Sequence, residues 1–252
     1  MLNTWNELLS AIKQYKSEFP EKTEFWFRGQ CDSEYVLLPS LFRFPKGMKK
    51  EKEVFDTFKR LSQKIAFSHK NEWELLIDMQ HYFIPTRLLD WSENLGIAIY
   101  FAIYSHTNNK DISLYVLNPL ELNRYSKKQG IPIVPDDNMG LSYINNYIKK
   151  EPFPPTYPIA IKSNFINERV MAQRGMFTVH GDDLTAIEKL CPNAVEKFII
   201  SYKAIPEIKE FLDIANINEF TVFPDLQGLS YFITPLYNFL KNKITHKALS
   251  HV

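Results

Sequence analysis

At 252 residues the chain can bury a sizeable core, and its length sits between one domain and two. Hydrophobic residues make up 45% and charged residues 23%, and 19 Phe with 13 Tyr favour packed aromatic layers over disorder. A formal net charge of +1 supplies no global field to draw in nucleic acid or an anionic membrane, so neither is an expected partner.

The opening "MLNTWNELLSAIKQY" lacks a basic flank followed by an unbroken apolar run, so no secretory signal is read there. Trp5, Leu8, Leu9, Ile12 and Tyr15 recur at helical spacing behind Asn3 or Thr4, which predicts a capped amphipathic helix. "EFWFRG" follows as a short buried strand ending where Gly29 frees the backbone, which puts Arg28 at a strand end. Cys31 and Cys191 are far apart and have no metal-type spacing, and a reduced cytoplasmic setting is expected.

Val54, Phe55, Phe58, Leu61 and Ile65 mark one face of a helix over 53–67. Trp73, Leu75, Leu76 and Met79 mark a second helix, with Gln80 and His81 on its last turn. Ser92 is read as the N-cap of a third, whose stripe is Ile97, Ala98, Phe101 and Ala102. "HYFIPTRLLDW" therefore reads as a connection between helices.

"DISLYVL" is a clear strand, and 118–156, with several Pro and Asn, reads as a long irregular excursion able to cover a cleft. Further strands are expected at 157–161, 176–179 and 197–202. "PEIKEFLDIANI" is a helix with Pro206 in its first turn, and "LQGLSYFITPLYNFLKNKI" a last one kinked or broken at Pro235. No repeat, low-complexity tract or flexible linker appears, so a single α+β domain is expected, a small mixed or antiparallel sheet flanked by helices.

Within that frame several side chains suit a site. Arg28 offers a planar fork for phosphate or carboxylate, with a buried pair to Asp90 as its structural alternative. Arg87 and Asp90, three apart, read better as a bracing ion pair than as ligand contacts. His81 could act as acid or base near neutral pH, or simply cap its helix. Gln30 and Gln80 can read amides or hydroxyls, and Arg43 adds a second phosphate-seeking charge. Trp91 could stack on a base, although in so aromatic a chain the core is its commoner place. Glu168 reads as the surface partner of Arg169 or Arg174. There is no phosphate-binding glycine loop, zinc-ligand spacing or serine elbow, so motifs alone call for no metal or cofactor.

"WFRGQ" at 26–30, "LLPSLFR" at 37–43, "QHYFIPTRLLDWSENLGIAIYFA" at 80–102, "AQRGMFTVHG" at 172–181 and "FPDLQGL" at 223–229 occur in the order seen in FRG domains. On these blocks the whole chain, 1–252, resembles one FRG domain, a family found in bacterial and phage-linked proteins. In a looser way the layout is similar to that of ADP-ribosyltransferases. There a first strand gives an Arg or His for NAD, a polar segment before an A-x-x-F/Y-A-type helix shapes the pocket, and a later strand gives a Glu. That resemblance implies NAD as cofactor and gives those three places to Arg28, to Ser92 with "AIYFA", and to Gln173. Gln173 stands where the carboxylate would be, and an amide can bind a ribose hydroxyl but cannot offset the charge of an oxocarbenium-like transition state. Two expectations follow: a nucleotide pocket with transferase-like turnover in bacterial or phage conflict, or a recognition module for a ligand or a protein using the same pocket without turnover.

Overall fold

The computed structural model describes residues 1–62, 71–106, 109–128, 130, 131, 133, 134, 140–163 and 168–235. Its centre is a seven-stranded sheet built from β1 (Trp26–Gln30), β2 (Leu88–Ser92), β3 (Ile112–Leu117), β4 (Ile133–Val134), β5 (Ile159–Ser163), β6 (Gly175–Val179) and β7 (Val195–Ile200). The strand order is β4-β5-β6-β2-β1-β3-β7, antiparallel throughout except for the parallel β4–β5 edge. The α+β expectation holds, with a mixed sheet.

The sheet is nearly two sheets. β1 pairs with β3 over five residues and β2 with β6 over five, but β1 and β2 meet only at Phe27↔Ser92. Beyond that point the central strands part, leaving a gap between a β1-β3-β7 half and a β2-β6-β5-β4 half. Each half has its own core on one shared face. Over the first, α1 (Trp5–Ser17), α5 (Leu95–Tyr104) and α9 (Ile205–Ile214) bury Leu8, Ile12, Ile97, Ile99, Ile208 and Leu212 against Phe27, Leu114 and Val116. Over the second, α3 (Gly47–Ser62), α4 (Glu72–His81) and a π-helical turn (Tyr143–Lys149) bury Phe55, Trp73, Leu76 and Tyr147 against Leu88, Ile161 and Phe177. The opposite face packs Trp26, Leu89, Trp91, Tyr115 and Met176 beneath Leu37, Leu122 of α6 (Pro119–Tyr125) and Ile187 of α8 (Ile187–Leu190).

Local chemistry accounts for the helix starts. Thr4 accepts from Glu7 N and caps α1, and Asn71 with Glu74 forms a capping box on α4. α9 opens with Pro206 in its first turn.

Four expectations change. β2 lies inside the stretch read as a helix connection, because Leu88–Ser92 alternates between two apolar layers once β6 supplies its ladder. Ser92 ends that strand, and the cap of α5 is Asn94, whose Oδ1 accepts from Gly96 N. The excursion over 118–156 contains α6 and the π-helical turn. Finally, α3 begins at Gly47, and Val54 and Leu61 of its expected face are exposed. Ile65, on that same face, lies outside the described residues, as does the last helix beyond 235.

Gly29 lies within β1 rather than ending it. A Cβ there would stand 1.9 Å from the Ala98 carbonyl oxygen and 2.8 Å from Ala102 Cβ, so the glycine is what lets α5 lie directly on β1.

Candidate functional site

Where β1 and β2 part, a cavity of ≈350 Å³ opens. Arg28 and Gln30 of β1, Gln80 and His81 of α4, Asp90 and Ser92 of β2, and Gln173 all line it. The three segments expected to converge do so. Arg43, the last residue of α2 (Ser40–Arg43), and Trp91 border it as well. Phe101 of α5, Arg169 of α7 (Glu168–Ala172) and Phe223 complete the walls, with Tyr35 and Phe83 adding aromatic rings.

Arg28 is the central charge. By strand alternation its side chain belongs with Trp26, yet its guanidinium turns into the gap, where Nη1 donates to the Asp90 carbonyl oxygen at 2.7 Å. The Asp90 carboxylate stands 3.9 Å from the same nitrogen. Arg28 Nε is buried with no hydrogen-bond partner. Desolvation lowers the pKa of this guanidinium, Asp90 works against that, and Arg43 adds to it. An anion in the gap would relieve both the unmet donor and the repulsion.

Asp90 is held from the other side. Gln80 Nε2 donates to Asp90 Oδ2 at 2.8 Å, and Gln80 Oε1 accepts from Thr86 Oγ1 at 2.6 Å, which fixes which end of the amide faces the carboxylate. Asp90 remains half exposed, at 51%. Among the described residues it is the only carboxylate-bearing one lining the cavity. His81 lies at the end of α4 with its ring stacked on Tyr82 at 4.7 Å between centroids.

Other placements correct the sequence reading. Arg87 does not line the cavity and does not pair with Asp90. It is buried, donates to Glu51 through Nε (2.5 Å) and Nη2 (2.7 Å), and gives Nη1 to the Gly181 carbonyl oxygen (2.7 Å). Burial works against its charge, but the bond to Glu51 and the field of that carboxylate outweigh it and raise the pKa. The pair braces α3 against β2, and Tyr143 Oη adds a donor to Glu51 at 2.7 Å. Trp91 borders the cavity, but its indole belongs to the core and donates to Thr178 Oγ1 at 3.1 Å, so it is not a stacking platform. Ser92 Oγ donates to the Gln173 carbonyl oxygen at 2.6 Å, tying the end of β2 to the turn before β6. Gln173 sits in that turn, not on a strand, and its Nε2 reaches the Val222 carbonyl oxygen at 3.2 Å. Arg43 spends Nε and Nη2 on the Leu38 carbonyl oxygen, and Gln30 leaves a buried Oε1 without a partner.

Arg169 escaped the sequence reading, which paired it at the surface with Glu168. It is one helical turn before Gln173, and Gln173 N donates to its carbonyl oxygen, so the four-residue spacing was the available signal. Nη2 meets Asp225 Oδ2 at 2.9 Å, the guanidinium carbon lies 4.6 Å from the Phe223 ring centroid, and Nε is buried without a partner. Glu51, the anchor of Arg87, gave no signal either, because its partner lies 36 residues away.

Among the described residues no cluster of His, Cys, Asp and Glu could hold a metal ion, and no helix is long and apolar enough to cross a membrane. No curated protein and no solved structure matches the chain. The blocks at 172–181 and 223–229, which had extended the likeness over the whole chain, fall beyond the part that a family model matches. That part carries β1, α2 to α5 and β2, and with them Arg28, Gln80, Asp90 and most of the cavity floor: residues 23–111 match the FRG domain.

Proposed function

We propose that the cleft binds an anionic ligand of the nucleotide class, with NAD and its fragments as the foremost candidates. One observation carries this reading: among the described residues, three guanidinium side chains, Arg28, Arg43 and Arg169, and a single carboxylate, Asp90, line one cavity. Its ≈350 Å³ falls within the usual range for small-molecule sites, and Phe101, Phe223 and Tyr35 supply apolar ring surface beside the charges. Guanidinium forks match phosphate oxygens in a way that a point charge does not.

For turnover, Asp90 rather than Gln173 is the acid. A carboxylate beside the ribose would stabilise an oxocarbenium-like centre as the glycosidic bond breaks and nicotinamide leaves with the bonding electrons. Water or an acceptor hydroxyl then adds to that carbon and gives up its proton, with His81 as the nearby base. Conflict between bacteria and phage, the setting that the resemblance implies, is where such an activity would serve. The test is a thermal-shift screen with NAD, ADP-ribose, ADP and nicotinamide, followed by chromatography for released nicotinamide. Binding with release that disappears in Asp90→Asn supports the enzyme; no stabilisation by any of the four overturns the reading.

A recognition module without turnover is the second reading, and the Gln173 amide favours it. That group is committed to the Val222 carbonyl oxygen, and among the described residues no glutamate lines the cavity. Stabilisation by nucleotide with intact NAD after long incubation would select it.

A further inference from the structure

Arg28 and Arg169 share an unusual condition. Each uses one terminal nitrogen on a carbonyl or carboxylate oxygen, each buries an Nε that meets no acceptor, and both line the same cavity. A guanidinium carries five N–H donors, and a buried one left unmet is costly. They come from opposite banks of the gap. Arg28 follows Phe27, which pairs with Ser92; Ser92 pairs with Gly175 at the start of β6, directly after α7 and the turn that ends it. With paired strands ≈4.8 Å apart, β1 and β6 stand roughly 10 Å from each other at the level of Phe27, Ser92 and Gly175, and the two arginines line the cavity from either side.

We infer that Arg28 and Arg169 form two separate anion seats across the gap, so that the cleft is built for a ligand with two linked phosphates, a nucleoside diphosphate or a pyrophosphate-bridged dinucleotide, over a monophosphate. The inference rests on the reading of the cleft as a nucleotide pocket and specifies the ligand further. Asp225, which does not line the cavity, reaches the second arginine from outside it. It holds Arg169 Nη2 while also accepting from Gly228 N at the start of the helix at 226–235. A second phosphate would therefore compete with Asp225 for Arg169, and the first phosphate would not.

The experiment is calorimetric titration of the full chain with AMP and with ADP. ADP is expected to bind about tenfold more tightly than AMP, the worth of one charge-assisted hydrogen bond. Arg169→Gln should remove that advantage, bringing ADP to the affinity that AMP has for the same variant. Asp225→Asn should increase the advantage by freeing Arg169, and it keeps the question decidable should Arg169→Gln fold poorly. If wild type binds ADP no better than AMP, or if Arg169→Gln weakens both equally, the two-seat arrangement is wrong while the nucleotide pocket stands. If neither nucleotide binds, both are wrong.

Discussion

Arg28 Nη1 donates to the Asp90 carbonyl oxygen at 2.7 Å, at the place where Gly29 of β1 would lie opposite Asp90 had the register set by Phe27↔Ser92 continued. A side chain thus replaces a rung of the ladder. The sheet can open there without stranding a buried carbonyl, and the same guanidinium, turned into the opening, becomes the floor of the cleft. Structure and recognition fall on one residue, which shapes what its replacement should do.

Arg28→Ala should weaken phosphate-bearing nucleotides by more than about tenfold, since it removes a charge-assisted contact in a largely desolvated site. Arg28→Lys should restore only part of this, because an ammonium cannot serve the Asp90 carbonyl and a phosphate in one plane. Titration calorimetry on both variants reads the difference, and equal affinities for wild type and Arg28→Ala would remove Arg28 from the site.

Gly29→Ala should destabilise the protein. The added methyl would meet the Ala98 carbonyl oxygen at 1.9 Å, which neither β1 nor α5 can yield to cheaply. Overpacking of this kind costs about 1–3 kcal/mol, and at this chain length each kcal/mol lowers Tm by about 2–4 °C. A thermal melt within a degree of wild type would mean that β1 and α5 are less closely packed than described.

Breaking the Arg87–Glu51 pair should be more severe. Arg87 is 1% exposed, so Glu51→Ala removes its two-point carboxylate partner and leaves only Asp182, 3.2 Å from Nη1, against the buried charge, a loss of about 3 kcal/mol. Replacing both partners, Arg87→Met with Glu51→Leu, should recover much of that. Chemical denaturation of the single and double variants checks the ordering, and a double variant less stable than Glu51→Ala would contradict it.

His180 should make stability depend on pH. It is fully buried, and desolvation, with the positive charge of Arg87 beside it, outweighs a backbone hydrogen bond at Leu37 and lowers its pKa from 6.5 to about 3. The unfolded chain takes up a proton near pH 6.5 while the native state does not, so the folded form loses stability as pH falls from about 6.5 towards 3, by up to about 1.4 kcal/mol per pH unit. Above pH 7 this contribution is flat. In urea unfolding between pH 7 and 4.5, His180→Gln should show a shallower slope than wild type, and parallel slopes would mean that His180 protonates in the folded state.

The blocks around Arg28, Gln80 and Asp90 were legible because each is local. An aromatic strand carrying Arg-Gly, a helix whose last turn carries Gln80 and His81, and the apolar helix that follows can each be read within a dozen residues. The segments at 26–30, 80–92 and 173 were expected to share a pocket, and they do. β2 was not legible, because a proline and charged residues hide a five-residue strand whose ladder is supplied by β6, over eighty residues later. Trp91 shows the same limit: its alternation places it in the core opposite Met176, with Thr178 diagonal to it, and only the β2–β6 register reveals which face that is.

From the sequence alone came the element types, the α+β class and the residues able to do chemistry, since periodicity, caps and side-chain functional groups are properties of neighbours in the chain. Tertiary structure alone decided which of those residues face the cleft. It gave Arg87 to Glu51, set the Asp90 carboxylate at the cavity beside Arg28, and brought Arg169 into the wall. The physical reason is that a buried charge is satisfied by whatever group folding brings within reach, and strand register and helix packing, not sequence distance, set that reach.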